Sequence, residues 1–129
     1  AARGEGCYWR GRRARVSPAA DLKDALVLTT EMNLNATPDR AAALGRVLQA
    51  AGPARTWGDC YGYVLVATGR ADVMIDPAMH VWDCAALLPI IEEAGGRFTD
   101  WRGRRTIHGG DAVATNGLLH DGVLALLKG

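Results

Sequence analysis

Cysteine is scarce in this chain, and its arrangement excludes a covalent framework. Cys7, Cys60 and Cys84 are odd in number and none stands in a CxxC pair. A disulfide scaffold is therefore not expected, and a reducing cytosol is the expected setting. No apolar run approaches the roughly 20 residues that span a bilayer, which points away from a membrane protein. Net charge is lacking too: 15 Lys and Arg against 14 Asp and Glu leave +1, with no global pull toward nucleic acid or a lipid surface. The opening AARGEG has neither an initiator Met nor a secretory h-region, so no signal peptide is expected. What remains is ordinary for a globular protein: 129 residues, 49% hydrophobic and 22% charged, enough for one domain with a real core.

Residues 5–16 read as a hairpin, with Cys7-Tyr8-Trp9 turning at Arg10-Gly11-Arg12 and returning through Ala14-Arg15-Val16. Ala25 to Thr30 is a strand-like run. Thr37-Pro38 starts a helix that ends near Ala51, where Gly52-Pro53 stops it. An extended piece at Arg55-Thr56-Trp57 feeds a helix from about Gly58 to Thr68, stopped by Gly69. Asp72 to Asp76 reads as a strand, and Val81 to Ala94 as a helix closed by Gly95-Gly96. Pro89 lies inside that helix, where a kink is expected. Arg97 to Asp100 is a strand, Trp101 to Gly110 a polar loop, Ala112 to Thr115 a strand and Leu118 to Lys128 a final helix. This alternation of helix and strand predicts a layered α/β domain. Helical spacing assigns Trp82, Ala85, Ala86 and Ile90 to the core, and solvent exposure accounts for Glu92 and Glu93.

Three places could carry chemistry. The helix start at Gly58-Asp59-Cys60 presents unpaired N–H groups that suit a phosphate, and Gly58 lets a ligand approach the backbone. On the local pattern alone, a plain strand-to-helix turn with Asp59 in the favoured first turn is the stronger reading. Asp83 falls in the first turn of its helix, near the end of the preceding strand, where ligands collect in open α/β sheets. It could ligate a hard cation such as Mg²⁺, or simply favour the helix start. Asp76 could accept hydrogen bonds from a ligand, or form the turn before Pro77. Cys60, His80 and Cys84 would make an unusual zinc set. Arg3, Arg10, Arg12, Arg13 and Arg15 crowd the hairpin beside Tyr8 and Trp9. Such a face could bind single-stranded nucleic acid, but the balanced total charge argues against nucleic acid as a partner.

The run WGDCYGYVLVATGRADVMIDPAMHVWDCAALLPIIEEAGGRFTDW, followed by GGDAVATNGLLHDGVLALL, resembles the inositol monophosphatase-like family of Mg²⁺-dependent phosphomonoesterases. WDxAA followed by EAGG carries the likeness most specifically. Gly4 to Thr30 is similar to the family's middle strands, so the resemblance covers almost the whole chain. It implies the αβαβα sandwich of that family, of which residues 1–129 would be the C-terminal α/β half. It implies a metal ligand at Asp83, substrate contact at Asp76, and phosphate and substrate binding at Gly58, Asp59 and Cys60. No catalytic residue within this chain follows from it.

Family members are about twice this length, and their N-terminal half brings a Glu-Glu pair and an Asp-Pro-x-Asp-Gly-Thr loop. Neither stands here; Asp76-Pro77 is followed by no Asp-Gly-Thr. Two-metal phosphoryl chemistry needs several carboxylates, so the chain is expected to be inactive alone and to need that other half, whether continuous or separate. A homodimer is implied for the intact enzyme. RTWGDCYGYVLVATG is similar to the histidinol-phosphatase branch, and a carboxylate at Asp59 would attract a cationic substrate by about 4 kcal/mol before screening. L-Histidinol phosphate is thus the expected substrate, with an inositol or other polyol phosphate as the alternative. The competing class is a non-catalytic binding domain that kept the fold and lost the chemistry.

Overall fold

The computed structural model describes residues 1–32 and 37–129. A hairpin pairs β1 (Tyr8–Trp9) with β2 (Arg12–Arg13). The turn is tighter than the sequence implied. Arg10 and Gly11 alone make it, both at positive φ (51° and 74°), as a twist-matched hairpin turn of this length requires. Arg12 therefore belongs to the returning strand.

A short 3-10 turn, Leu22–Asp24, leads into β3 (Val27–Thr29). Then follow α1 (Pro38–Ala50), β4 (Ala54–Thr56), α2 (Cys60–Ala67), β5 (Val73–Asp76), α3 (Val81–Glu93), β6 (Arg97–Thr99), β7 (Ala112–Thr115) and α4 (His120–Lys128). Outside the hairpin, whose returning strand is Arg12–Arg13 and not Ala14 to Val16, each expected element is present within two residues of its expected bounds. α3 runs unbroken through Pro89.

One five-stranded sheet, in the order β4-β3-β5-β7-β6, organises the molecule. β3 lies parallel to both β4 and β5, whereas β7 runs antiparallel to β5 and β6. Strand alternation sends Leu28, Met74, Ala112 and Ala114 to one face and Val27, Val73, Ile75 and Val113 to the other. The first face packs under α2 and α3, the second under α1 and α4. Both faces are covered, which is why β3, β5 and β7 read as continuous apolar runs. The layered α/β expectation holds, with three layers in this chain. At Gly62 a Cβ would collide with the Met74 sulfur, so the glycine sets how closely α2 seats on β5. Among the described residues no helix is long and apolar enough to cross a membrane.

Two assignments made from helical spacing are corrected. Trp82 is 72% exposed, and Ala85 and Ala86 are exposed as well. The stripe of α3 that meets the sheet is Cys84, Leu87, Leu88 and Ile91. The apolar residues outnumber the contact positions, and periodicity alone picked the wrong stripe. Glu92 and Glu93 are not merely solvated. Glu93 accepts hydrogen bonds from the Gly4 and Gly6 N–H groups (2.6 and 2.7 Å), tying the hairpin to α3. Glu92 forms a two-pronged pair with Arg105 (2.6 Å for each bond).

A buried histidine closes the antiparallel side. His120 is fully buried, with Nε2 2.9 Å from Thr99 Oγ1 and Nδ1 3.0 Å from Thr115 Oγ1. Thr99 spends its own hydrogen on the Asp100 carbonyl. Nε2–H therefore donates to Thr99, and in the neutral ring Nδ1 accepts from Thr115. Burial, with Arg97 nearby, pushes the His120 pKa down to about 4. The folded pKa thus lies below the ordinary 6.5, so the stabilisation is complete above pH 6.5 and drains away as pH falls toward 4. Urea denaturation should show a loss on the order of 2–3 kcal/mol across that interval. His120→Asn should be less stable at pH 7 but lack most of this slope.

Candidate functional site

The parallel part of the sheet places its strand ends on one edge of the molecule. Leaving β3 the chain passes through Thr30 and Glu31, leaving β4 it reaches Asp59 and Cys60, and leaving β5 it runs from Asp76 to Asp83. These three crossings line a single cleft of about 770 Å³, which is where open α/β sheets bind ligands. Most of its wall is apolar, from Val64, Met79, Trp82, Leu87 and Ile90. The polar minority is dominated by carboxylates, with Asp59, Asp76 and Asp83 all at the wall.

Asp76, the last residue of β5, is almost fully buried (2% exposed). Its Oδ1 accepts from the Thr30 N–H at 3.2 Å and its Oδ2 from the Tyr63 hydroxyl at 2.8 Å. Burial pushes its pKa up, the Thr30 and Tyr63 hydrogen bonds oppose that shift, and the Asp59 charge adds to it. The main chain here is held from behind. Trp101 Nε1 donates to the Asp76 carbonyl at 3.0 Å, and Arg40 donates to the Pro77 carbonyl while pairing with Asp111 at 3.0 Å.

At the second crossing the helix begins at Cys60, not Gly58, and Asp59 is its N-cap with φ 55° and ψ −144°. This pair of angles lies outside the left-handed helical well and close to a region that glycine alone populates freely, so the backbone here is strained. The Asp59 side chain makes no capping bond, so the backbone strain does not serve the helix. A Cβ placed at Gly58 would meet nothing within 4 Å. Packing therefore does not demand glycine there, and the approach to the α2 N–H groups is open.

At the third crossing Asp83 sits in the first turn of α3, exposed, its Oδ2 accepting the His80 N–H at 2.9 Å. His80 stacks on Trp82 with ring centroids 4.6 Å apart. Asp83 Oδ1 is uncommitted among the described residues and suits a hard cation. Asp83 thus fits as one ligand of a magnesium ion, but one carboxylate oxygen is not a site. Among the described residues no three His, Cys, Asp or Glu side chains lie close enough to share a metal. The Cys60–His80–Cys84 zinc set is not brought together either: Cys84 is buried and Cys60 exposed. Burial, with Asp83 and Asp76 nearby, pushes the Cys84 thiol up to about 11, which disfavours the thiolate that zinc needs.

Asp59, Cys60, Asp76 and Asp83 therefore share one cleft, and Gly58 stands beside it. Sequence reasoning missed Thr30, Glu31, Tyr63 and Arg40. No local pattern marks them, because each acts across a gap in sequence that only the sheet closes.

The family model described as "Inositol monophosphatase family" matches residues 1–129. A histidinol-phosphatase of Chlorobaculum parvum is 42% identical over 115 residues, covering 89% of this chain and 44% of that protein. The histidinol-phosphatase of Mycobacterium tuberculosis is 40% identical, covering 99% of this chain and 51% of its own length. The crystal structure of the extragenic suppressor protein suhB from Bartonella henselae superposes with a TM-score of 0.90 at 29% identity, over 99% of this chain and 50% of that one. The chain spans about half the length of these relatives.

The Tyr63 hydroxyl should hold down the Asp76 pKa. Tyr63→Phe keeps the ring and removes the donor, so a carboxyl-carbon NMR titration should show the Asp76 pKa rising further. An unchanged value would mean that the hydroxyl does not stabilise the carboxylate.

Proposed function

The chain belongs to the inositol monophosphatase family, and from that premise we propose that it is the C-terminal half of a magnesium-dependent phosphomonoesterase acting on L-histidinol phosphate. One observation carries the reading: carboxylates from separate crossings, Asp59, Asp76 and Asp83, converge on one cleft beside an open helix N-terminus. In this reading the phosphate lies against the N–H groups of Gly58, Asp59 and Cys60 leading into α2, where the helix dipole favours negative charge. The cationic end of the substrate lies toward Asp59 and Asp76, whose charges already act on one another. The apolar wall formed by Met79, Trp82 and Ile90 excludes water from the rest of the ligand. Asp83 is one ligand of a magnesium ion whose other ligands come from a segment outside these residues. When bound, such an ion supplies charge neutralisation and a water of lowered pKa. Exposure of Trp82 and Ala86 on the cleft side of α3 supports a covering segment of that kind. A soluble, cytoplasmic, homodimeric enzyme is part of the same proposal.

The test is phosphate release from L-histidinol phosphate and inositol 1-phosphate by the longest form of the protein, with and without Mg²⁺. Histidinol phosphate should be preferred, and the 129-residue chain should show no turnover alone. Asn is the suitable neutral replacement at Asp59, because it keeps the side-chain shape and removes only the charge. Asp59→Asn should shrink the preference about tenfold, equivalent to about 1.4 kcal/mol. An undiminished preference would remove Asp59 from substrate selection. Asp83→Asn should cost at least about a hundredfold in kcat with the circular dichroism spectrum retained, if one metal ligand is worth several kcal/mol of transition-state stabilisation.

A further inference from the structure

A second concavity lies at the other end of α2. It measures about 330 Å³ and is lined by Trp9, Arg12, Arg13, Arg15, Thr68 and Arg70. It shares no lining residue with the carboxylate cleft, and the eight residues of α2 separate the two by about 12 Å at 1.5 Å per residue.

The charge around it is predominantly positive. Arg3, Arg10, Arg12, Arg13, Arg15 and Arg70 gather here against three acids, Glu5, Asp72 and Glu93, and Asp72 already accepts from Ser17 Oγ and the Leu26 N–H. Both oxygens of Glu93 already accept the Gly4 and Gly6 N–H groups. Among the described residues none of the six arginines is in an ion pair, whereas Arg40, Arg97, Arg104 and Arg105 all are. The protein as a whole carries only +1, so this density is local. The negative end of the α2 dipole explains Arg70 alone; it does not explain three arginines on the facing hairpin.

Two of the lining guanidiniums, those of Arg13 and Arg70, are also held in place. Arg70 donates to Thr68 Oγ1 at 3.0 Å and lies over the Trp9 ring at 4.6 Å, which Arg10 also approaches at 5.1 Å. Arg13 lies over Tyr8 at 5.5 Å. Stacking restricts the side chains while leaving N–H forks unspent, and such forks match phosphate oxygens. The Trp9 ring is occupied in orienting cations, which leaves it poorly placed to stack a nucleobase.

We propose that this hairpin pocket is a binding site for an oligophosphate anion, the di- or triphosphate group of a small molecule, separate from the carboxylate cleft. Arg12, Arg13, Arg15 and Arg70 take the phosphate oxygens, and the Trp9 ring keeps Arg70 aligned.

Calorimetric titration of the full-length protein with orthophosphate, pyrophosphate, tripolyphosphate and ATP tests this. Affinity should rise with the number of phosphates and fall with added salt. ATP binding as tightly as tripolyphosphate means that phosphates alone are read; tighter ATP binding means that the nucleoside contributes too. Tripolyphosphate should also change the indole fluorescence, and Trp9→Phe should abolish that change. Arg12→Ala with Arg70→Ala should weaken tripolyphosphate at least tenfold, Arg→Lys at both positions should restore part of the affinity, and Asp83→Asn should leave it unchanged. Unaltered binding by the double alanine variant, or its loss in Asp83→Asn, overturns the pocket. A single-stranded oligonucleotide binding a hundredfold tighter than tripolyphosphate overturns the small-anion reading in favour of nucleic acid. Phosphatase activity on histidinol phosphate is scored separately, so failure of either proposal leaves the other intact.

Discussion

Burial of the Asp76 carboxylate is the constraint on which the cleft depends. A charge taken out of water needs replacement donors, and here they come from two distant segments, the Thr30 N–H and the Tyr63 hydroxyl. Satisfying this one group fixes the exit of β3 and the seating of α2 against the end of β5. Trp101 and Arg40 hold the Asp76 and Pro77 carbonyls from the opposite layer, so the loop toward Asp83 is anchored from both sides of the sheet. The two bonds to the side chain act against desolvation, yet the pKa remains raised.

The sheet divides its labour by strand direction. Its parallel strands, β4, β3 and β5, bring three loop exits to one edge and so create the cleft. Its antiparallel strands, β7 and β6, place Thr99 and Thr115 on either side of His120, which ties α4 to the sheet through a neutral ring. α2 forms an axis of a different kind. An aspartate stands at its N-terminus and an arginine three residues beyond its last residue, the charge order that a helix dipole favours. Around those ends the molecule builds an acidic mouth and a basic one.

Much of the architecture was legible because the local signals agreed. Thr37-Pro38 and Gly52-Pro53 bracket α1, and Gly95-Gly96 closes α3, so helix bounds fell within two residues of those observed. Asp59, Asp76 and Asp83 were visible as polar residues at element boundaries, and their shared cleft follows once β3, β4 and β5 run parallel. The buried stripe of α3 was not legible. Its residues are apolar nearly all round, so periodicity offered Trp82, Ala85 and Ala86 as readily as Cys84, Leu87 and Leu88. Glu93 gave no sign of holding Gly4 and Gly6, which lie far from it along the chain.

By itself the chain of residues determined where helices and strands start and stop, which strands are apolar on both faces, and where charge is concentrated. Those properties follow from φ restrictions, side-chain period and composition within a few neighbouring residues. Only the tertiary structure decided which side of α3 meets the sheet, that Tyr63 and Thr30 meet at Asp76, that His120 is buried neutral, and that the hairpin arginines face Arg70. Each of these joins segments that come together only when the sheet forms, and its energy is set by the water excluded there.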